Sequence, residues 1–317
     1  MKMILTKNRG GGRLLLAFYY LRGICMNKNI KLSLLFILIL TVVISFFGCG
    51  KSTTRNSSKD KKMSDSEIEK NFKMKRIEGG YSIKEYIGES ANVYIPRKYK
   101  GYTIKKIEEE AFAGMKFLEK VEVASSIEEI SSEAFKDCEA LKTVTLKEGL
   151  KKIGYRAFHN ASIETITIPS TVEYVSGFDG CKNLKAVTLN EGLKELGDSA
   201  FSGTSIESIT IPSSVKKLKP DTFRDCKNLR TVTLKEGLRE IECELSLYEG
   251  YQGPFRGSSI ERITIPSTVE KIDRGAFEYC SELTGINCKL KISYVVSNRR
   301  DLNGLLEKES IVNYLNG

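Results

Sequence analysis

Residues 140–158 read ALKTVTLKEGLKKIGYRAF, and the phrase returns as NLKAVTLNEGLKELGDSAF at 183–201, SIESITIPSSVKKLKPDTF at 205–223 and SIERITIPSTVEKIDRGAF at 259–277. Each copy closes on a phenylalanine. Phe112, Phe135, Phe158, Phe178, Phe201, Phe223, Phe255 and Phe277 follow one another at intervals of 23, 23, 20, 23, 22, 32 and 22 residues. A period of that size marks a repeat architecture. Within one copy Leu141, Val144, Leu146, Leu150, Ile153 and Phe158 are the recurring apolar positions, and the alternation at Val144 and Leu146 has the two-residue period of a strand. The stretch through Ala157 and Phe158 reads as a short helical or 3-10 turn. One copy buries too few side chains to offset the ordering of its own backbone. The copies must therefore stack around a shared interior, with parallel strands side by side and the turns on the far side.

Two kinds of copy alternate. One carries a cysteine and a Glu-Gly turn, as at Cys138 with Glu148-Gly149, Cys181 with Glu191-Gly192 and Cys226 with Glu236-Gly237; the other carries Ser-Ile and Pro-Ser, as at Ser162-Ile163 and Ser205-Ile206. The unit is thus a pair of about 44 residues.

The spacing L-x-x-V-x-L-x-x-x-L-x-x-I-x-x-x-A-F, with Ile-Pro after the strand at Ile168-Pro169, Ile211-Pro212 and Ile265-Pro266, resembles the leucine-rich repeats of the BspA-type bacterial surface proteins. The likeness covers about residues 80–288, and residues 81–112 look like that family's first repeat. It implies an α/β leucine-rich repeat solenoid, with stacked parallel strands on one face and short helical or 3-10 turns on the other. It also implies adhesion, with host proteins, extracellular matrix or other microbes as partners.

The N-terminal region reads as an address. From Met26 a short basic head leads into an apolar run over Leu32 to Phe47, then Gly48 and Cys49. That is the layout of an export signal, and the run of 16 residues falls short of the roughly 20 that a spanning helix needs. The Gly-Cys ending resembles a bacterial lipoprotein signal, although Phe46 and Phe47 stand where such signals carry an aliphatic and a small residue. The resemblance implies a lipid on Cys49 and attachment to a membrane. The chain then divides into 1–25, upstream of a start at Met26; the signal, 26–48; the lipidated cysteine and a flexible tether, 49–76; the solenoid, 77–288, with an insertion near 242–255; and a C-terminal cap, 289–317, in which Leu302, Leu305, Leu306, Ile311 and Leu315 would seal the open core. The tether, rich in Ser and Lys, has too few apolar residues to order itself.

The formal charge of +10 is carried outside the repeats. Residues 1–48 hold seven basic and no acidic side chains, whereas from Ile77 onward there are 34 basic and 36 acidic. A folded part that is slightly acidic has no net attraction for phosphate polyanions, which argues against nucleic acid as a partner.

Few residues suggest chemistry. Cys138, Cys181, Cys226 and Cys280 recur two repeats apart, near 10 Å at about 4.8 Å per strand, too far to bridge; they read as buried packing groups. Cys243 and Cys288 are irregular, and one disulfide involving them stays open. No close ligand pairing suggests zinc, and no cofactor motif is found: GCGKS at 48–52 lacks the first glycine of a phosphate loop. His159, the single histidine, follows a repeat phenylalanine and reads as a surface residue. No catalytic set is assembled, which argues for a non-enzymatic protein.

The candidate contact surface is the solvent side of the strands, where Tyr94, Glu122, Thr145, Thr167, Thr188, Thr210, Thr233, Thr264 and Asn287 occupy one column. Threonine suits exposed strands for its own sake; the alternative is a hydroxyl-rich recognition face for a protein or glycan. The 32-residue interval holds nine inserted residues, and Leu247, Tyr248 and Tyr251 there suit a binding loop. The competing reading is a structural or assembly lipoprotein whose partner is another envelope protein.

Overall fold

The computed structural model describes residues 62–247 and 250–288. The segments read as upstream extension, export signal, Cys49, most of the tether, Tyr248 and the C-terminal cap lie outside the described residues.

The stretch read as tether ends earlier than its composition suggests. Asp65–Asn71 forms a helix, here α1. Ser64 caps it by accepting from Glu67 N at 3.3 Å, and the Glu67 carboxylate accepts from Ser64 N at 2.8 Å. Ile68 and Phe72 are fully or nearly fully buried, so this turn and the antiparallel pair Phe72–Ile77 and Gly80–Tyr86 close the N-terminal end of the core. Two apolar side chains in a polar run were enough, because a cap needs only one buried face.

Beyond the cap each repeat lays down two strands. The longer ones build a face in two sheets: Asn92–Tyr94, Lys120–Glu122 and Thr143–Thr145 in one, and Thr165–Thr167, Ala186–Thr188, Ser208–Ile211, Thr231–Leu234, Arg262–Ile265 and Gly285–Cys288 in the other, all parallel. Ile166 pairs with Val187, and Val144 pairs with Val121. Thr143–Thr145 and Thr165–Thr167 are neighbours across the seam between the sheets. The second set was not foreseen: two-residue strands such as Glu129–Ile130, Lys152–Ile153, Tyr174–Val175, Glu195–Leu196, Lys217–Leu218, Glu240–Ile241 and Lys271–Ile272 continue the cap's hairpin into an eleven-stranded sheet.

The third side is made of turns, not of helical or 3-10 segments; among the described residues α1 is the only helix. The cause is in the backbone. Residues two before and two after the phenylalanines, including Glu110, Glu133, Arg156, Asp137, Asn160 and Tyr279, hold φ between 54° and 57°, the left-handed region that ends a helix. Alternate N–H groups then leave their own repeat. Glu133, Phe135 and Asp137 donate to the carbonyls of Tyr155, Ala157 and His159 at 2.9, 2.7 and 2.8 Å, so this side is also laddered between repeats. Inside it the rings from Phe112 to Phe277 stack with centroids 4.6–5.8 Å apart and planes within 3–20° of parallel.

The pairing of repeat types has a contact behind it. Glu148 accepts from Ser170 N, Ser170 Oγ and Thr171 N of the next repeat at 3.1, 3.0 and 3.1 Å, while Gly149 N donates to Thr171 Oγ1 at 2.9 Å. Glu236 and Gly237 repeat this on Ser267 and Thr268. The glycine is required: a Cβ at Gly149 would stand 2.3 Å from the Ser125 carbonyl oxygen, and at Gly237 2.2 Å from that of Ser213.

Candidate functional site

On the six-stranded sheet Thr167, Thr188, Thr210, Thr233, Thr264 and Asn287 are all exposed. Register joins Thr167 to Thr188, Thr210 to Thr233, Thr233 to Thr264 and Thr264 to Asn287. Between each residue and the exposed Thr165, Ala186, Ser208, Thr231 or Arg262 two positions earlier lies an inward aliphatic, the alternation of a half-buried sheet. The result is a hydroxyl row whose members from Thr167 to Thr264 carry no charge. Apart from Arg262 in the flanking column, the charges lie in a neighbouring column in which Glu164, Lys185, Glu207, Arg230 and Glu261 alternate in sign.

The same column starts differently on the three-stranded sheet. Tyr94, Glu122 and Thr145 are in register. Glu122, however, is held by Lys147 at 2.8 Å, and the Lys147 ammonium sits 5.6 Å from the Tyr94 ring centroid. Lys147, which sequence reasoning did not single out, thus ties two of the nine candidate residues into a polar cluster. Its strand-end position carries no signal in the repeat pattern.

The insertion forms an antiparallel hairpin, Glu244–Ser246 against Gly250–Gln252, with Leu245 opposite Tyr251. It leaves the coil between the second sheet and the turns, so the structure does not bring this loop together with the threonine row. Tyr251 packs on the following repeat under the Arg274 guanidinium, 5.0 Å from its centroid. Gly275 makes that possible, since a Cβ there would meet Tyr251 Cβ at 2.3 Å. Leu245 and Leu247 are 61% and 94% exposed.

Cys138, Cys181, Cys226 and Cys280 are free and buried. Each donates its thiol to the carbonyl of an earlier phenylalanine, Phe112, Phe158, Phe201 and Phe255, at 3.1, 3.0, 3.2 and 2.9 Å. Burial pushes the Cys138 thiol up to about 12 and that of Cys226 to about 11, and raises Cys181 and Cys280 as well. Protonated, bonded thiols are poor nucleophiles. Cys243, half-buried and free, is pushed up to about 12 by burial and by the Asp273 carboxylate.

His159 is less exposed than its sequence position implies. Its Nδ1 lies 2.6 Å from Asp179 Oδ2, the oxygen that also accepts from Arg156 Nε at 3.2 Å, which braces two successive turns. Among the described residues no three His, Cys, Asp or Glu side chains are grouped to hold a metal ion, and no helix is long and apolar enough to cross a membrane.

The chain is 25% identical to a leucine-rich cell surface protein of Faecalibacterium prausnitzii over 69% of either chain, with a TM-score of 0.45. It is 23% identical to a leucine-rich repeat protein of T. pallidum over 69% of this chain and 81% of that one, with a TM-score of 0.44. It is 21% identical to the pneumococcal vaccine antigen PcpA over 68% of this chain and 62% of that one, with a TM-score of 0.52. This last likeness bears on the fold alone. No curated protein matches the chain significantly. Six copies of the BspA type leucine-rich repeat region match residues 105–230, 175–284 and 235–299; with its stacked parallel strands and repeating phenylalanine turns, the chain belongs to the BspA-type leucine-rich repeat family.

Proposed function

We infer that the protein is a non-enzymatic recognition protein of the bacterial envelope, exported and held to a membrane by a lipid on Cys49, which displays its strand face to a protein or glycan partner. The observation that carries this reading is the hydroxyl row from Thr167 to Thr264, exposed and uncharged on one sheet. An uncharged row of side chains with few rotamers loses little entropy or solvation when covered. The row needs no cofactor to do so. Host matrix proteins are the partners that the family resemblance favours. The neighbour from Faecalibacterium prausnitzii is described as a cell surface protein, in keeping with display on the outside of the cell.

The exposed Leu245 and Leu247 support a second, separate contact with another envelope protein, the structural or assembly alternative. Protease shaving of intact cells, with the released peptides identified by mass spectrometry, is expected to yield peptides from 80–288. Pull-downs on immobilised matrix proteins and on envelope extracts then separate the readings. Protection from shaving, with retention of envelope components only, would establish the assembly role and end the adhesion reading.

A further inference from the structure

The threonine face is not uniform. Ala186–Thr188 and Ser208–Ile211 are joined by a single residue pair, Ala186 with Ser208, whereas Ser208–Ile211 pairs with the next strand at four positions and Thr165–Thr167 with Ala186–Thr188 at three. Past Ala186 the two strands splay. At the gap Val187 is only partly buried, like Ile286 on the last described strand, whereas Val144, Ile166, Ile209, Val232 and Ile263 between and before them are 2–8% exposed. The splay opens a cleft of about 370 Å³, lined by Val187, Leu189 and Ile209 and by the hydroxyl-bearing Thr188, Ser208, Thr210, Thr231 and Thr233.

The chemistry of that lining selects a ligand. Three aliphatic side chains among five hydroxyl-bearing ones, with no charged and no aromatic residue, suit a neutral group that is apolar at its tip and polar behind it. A sugar ring would find neither an aromatic plate nor a carboxylate or amide to bind paired hydroxyls. A branched aliphatic side chain fits the aliphatic floor, and its flanking peptide groups reach hydroxyls of the rim. We propose that this cleft is an anchor subsite for an extended, uncharged segment of a protein partner, which inserts a Val, Ile or Leu side chain against Val187 and Leu189. The proposal rests on the strand-face reading above and assigns the partner's chemistry.

The test uses the full chain with labelled Ile, Leu and Val methyl groups, observed by NMR. The probe is N-acetyl-L-isoleucine N′-methylamide, with N-acetylglycine N′-methylamide and N-acetylglucosamine as comparisons. Saturable shifts confined to Val187, Leu189 and Ile209 are expected, with a dissociation constant of about 1 mM for so small a ligand. They should change less than about twofold between low and high salt. The glycine derivative should bind at least about tenfold more weakly, having no side chain to bury. Thr210→Trp, which covers the cleft, should abolish the shifts, and Thr264→Trp, in the same row outside it, should keep them. No saturable shift, equal shifts with the glycine derivative, or stronger shifts with the sugar would overturn the proposal. The broader reading is tested apart from it: if Thr264→Trp impairs partner capture and Thr210→Trp does not, the face binds and the cleft is not its anchor.

Discussion

At the scale of single residues, Glu110 sits at φ 56° two positions before Phe112, a conformation that costs a side-chain-bearing residue about 1–2 kcal/mol. Glu110→Gly should stabilise the protein by about 0.5–1 kcal/mol net of the greater freedom of glycine in the unfolded chain, read as a higher urea midpoint; a lower midpoint would show that the turn is not strained. The buried thiols make a second prediction. Their folded pKa values lie above the ordinary 9.0, so above pH 9 the unfolded chain releases protons that the folded chain retains. Stability therefore falls as pH rises from 9 toward 11 or 12, by up to about 1.4 kcal/mol per pH unit for each thiol. Cys226→Ala should reduce that slope by one proton's worth in denaturation curves taken between pH 8 and pH 10.5. An unchanged slope would mean that Cys226 ionises alike in both states.

At the scale of elements, the ring stack is what the turns are arranged around. Phe158→Ala removes a ring that stacks on both Phe135 and Phe178 at 5.1 and 5.2 Å, and should cost about 3–5 kcal/mol. The same change at Leu247, 94% exposed at the hairpin, should leave the urea midpoint within about 0.5 kcal/mol. The Glu-Gly clamps carry an acid dependence. Hydrogen bonds from Ser170 and Thr171 hold the Glu148 carboxyl below its ordinary range, and Lys235 and Ser213 hold Glu191 at about 2. These folded values are depressed, so the clamps' contribution is complete above the ordinary carboxylate range and is lost as pH falls through the folded values. Melting temperatures of Glu191→Gln and the parent protein should differ at pH 6 and converge toward pH 2.

What could be read beforehand divides along the same lines. Val144, Ile166, Phe158 and Cys181 recur at fixed spacing, and that spacing alone places them inside. The second sheet was not legible because Lys152–Ile153 and its counterparts are two residues long, too short to show alternation. The turns look helical or 3-10 in sequence because Ala157-Phe158 suits a helix by composition, while the left-handed Arg156 and Asn160 that break it are ordinary residue types. Glu148 was seen to recur with Gly149, but its partners Ser170 and Thr171 are 22 and 23 residues away. The splay at Val187 depends on how two strands pair, which no single stretch of sequence encodes.

At the scale of the whole molecule, the neutral hydroxyl row and the hairpin leucines lie on different sides of one coil. Cys49→Ala should move the protein from the detergent phase to the aqueous phase in Triton X-114 partition and remove a lipid adduct from its N-terminal peptide; unchanged partition would reject the anchor. The central claim is that stacked repeats exist here to present the strand face to another macromolecule. It is tested most directly by photo-crosslinking on intact cells, with benzoylphenylalanine placed in turn at Thr210 and Thr233 on the face, and at Glu139 and Glu282 on the turns. Crosslinked polypeptide partners are expected from the two face positions, and few or none from the turn positions. Equal crosslinking from both sides, or crosslinks from the turns alone, would contradict it.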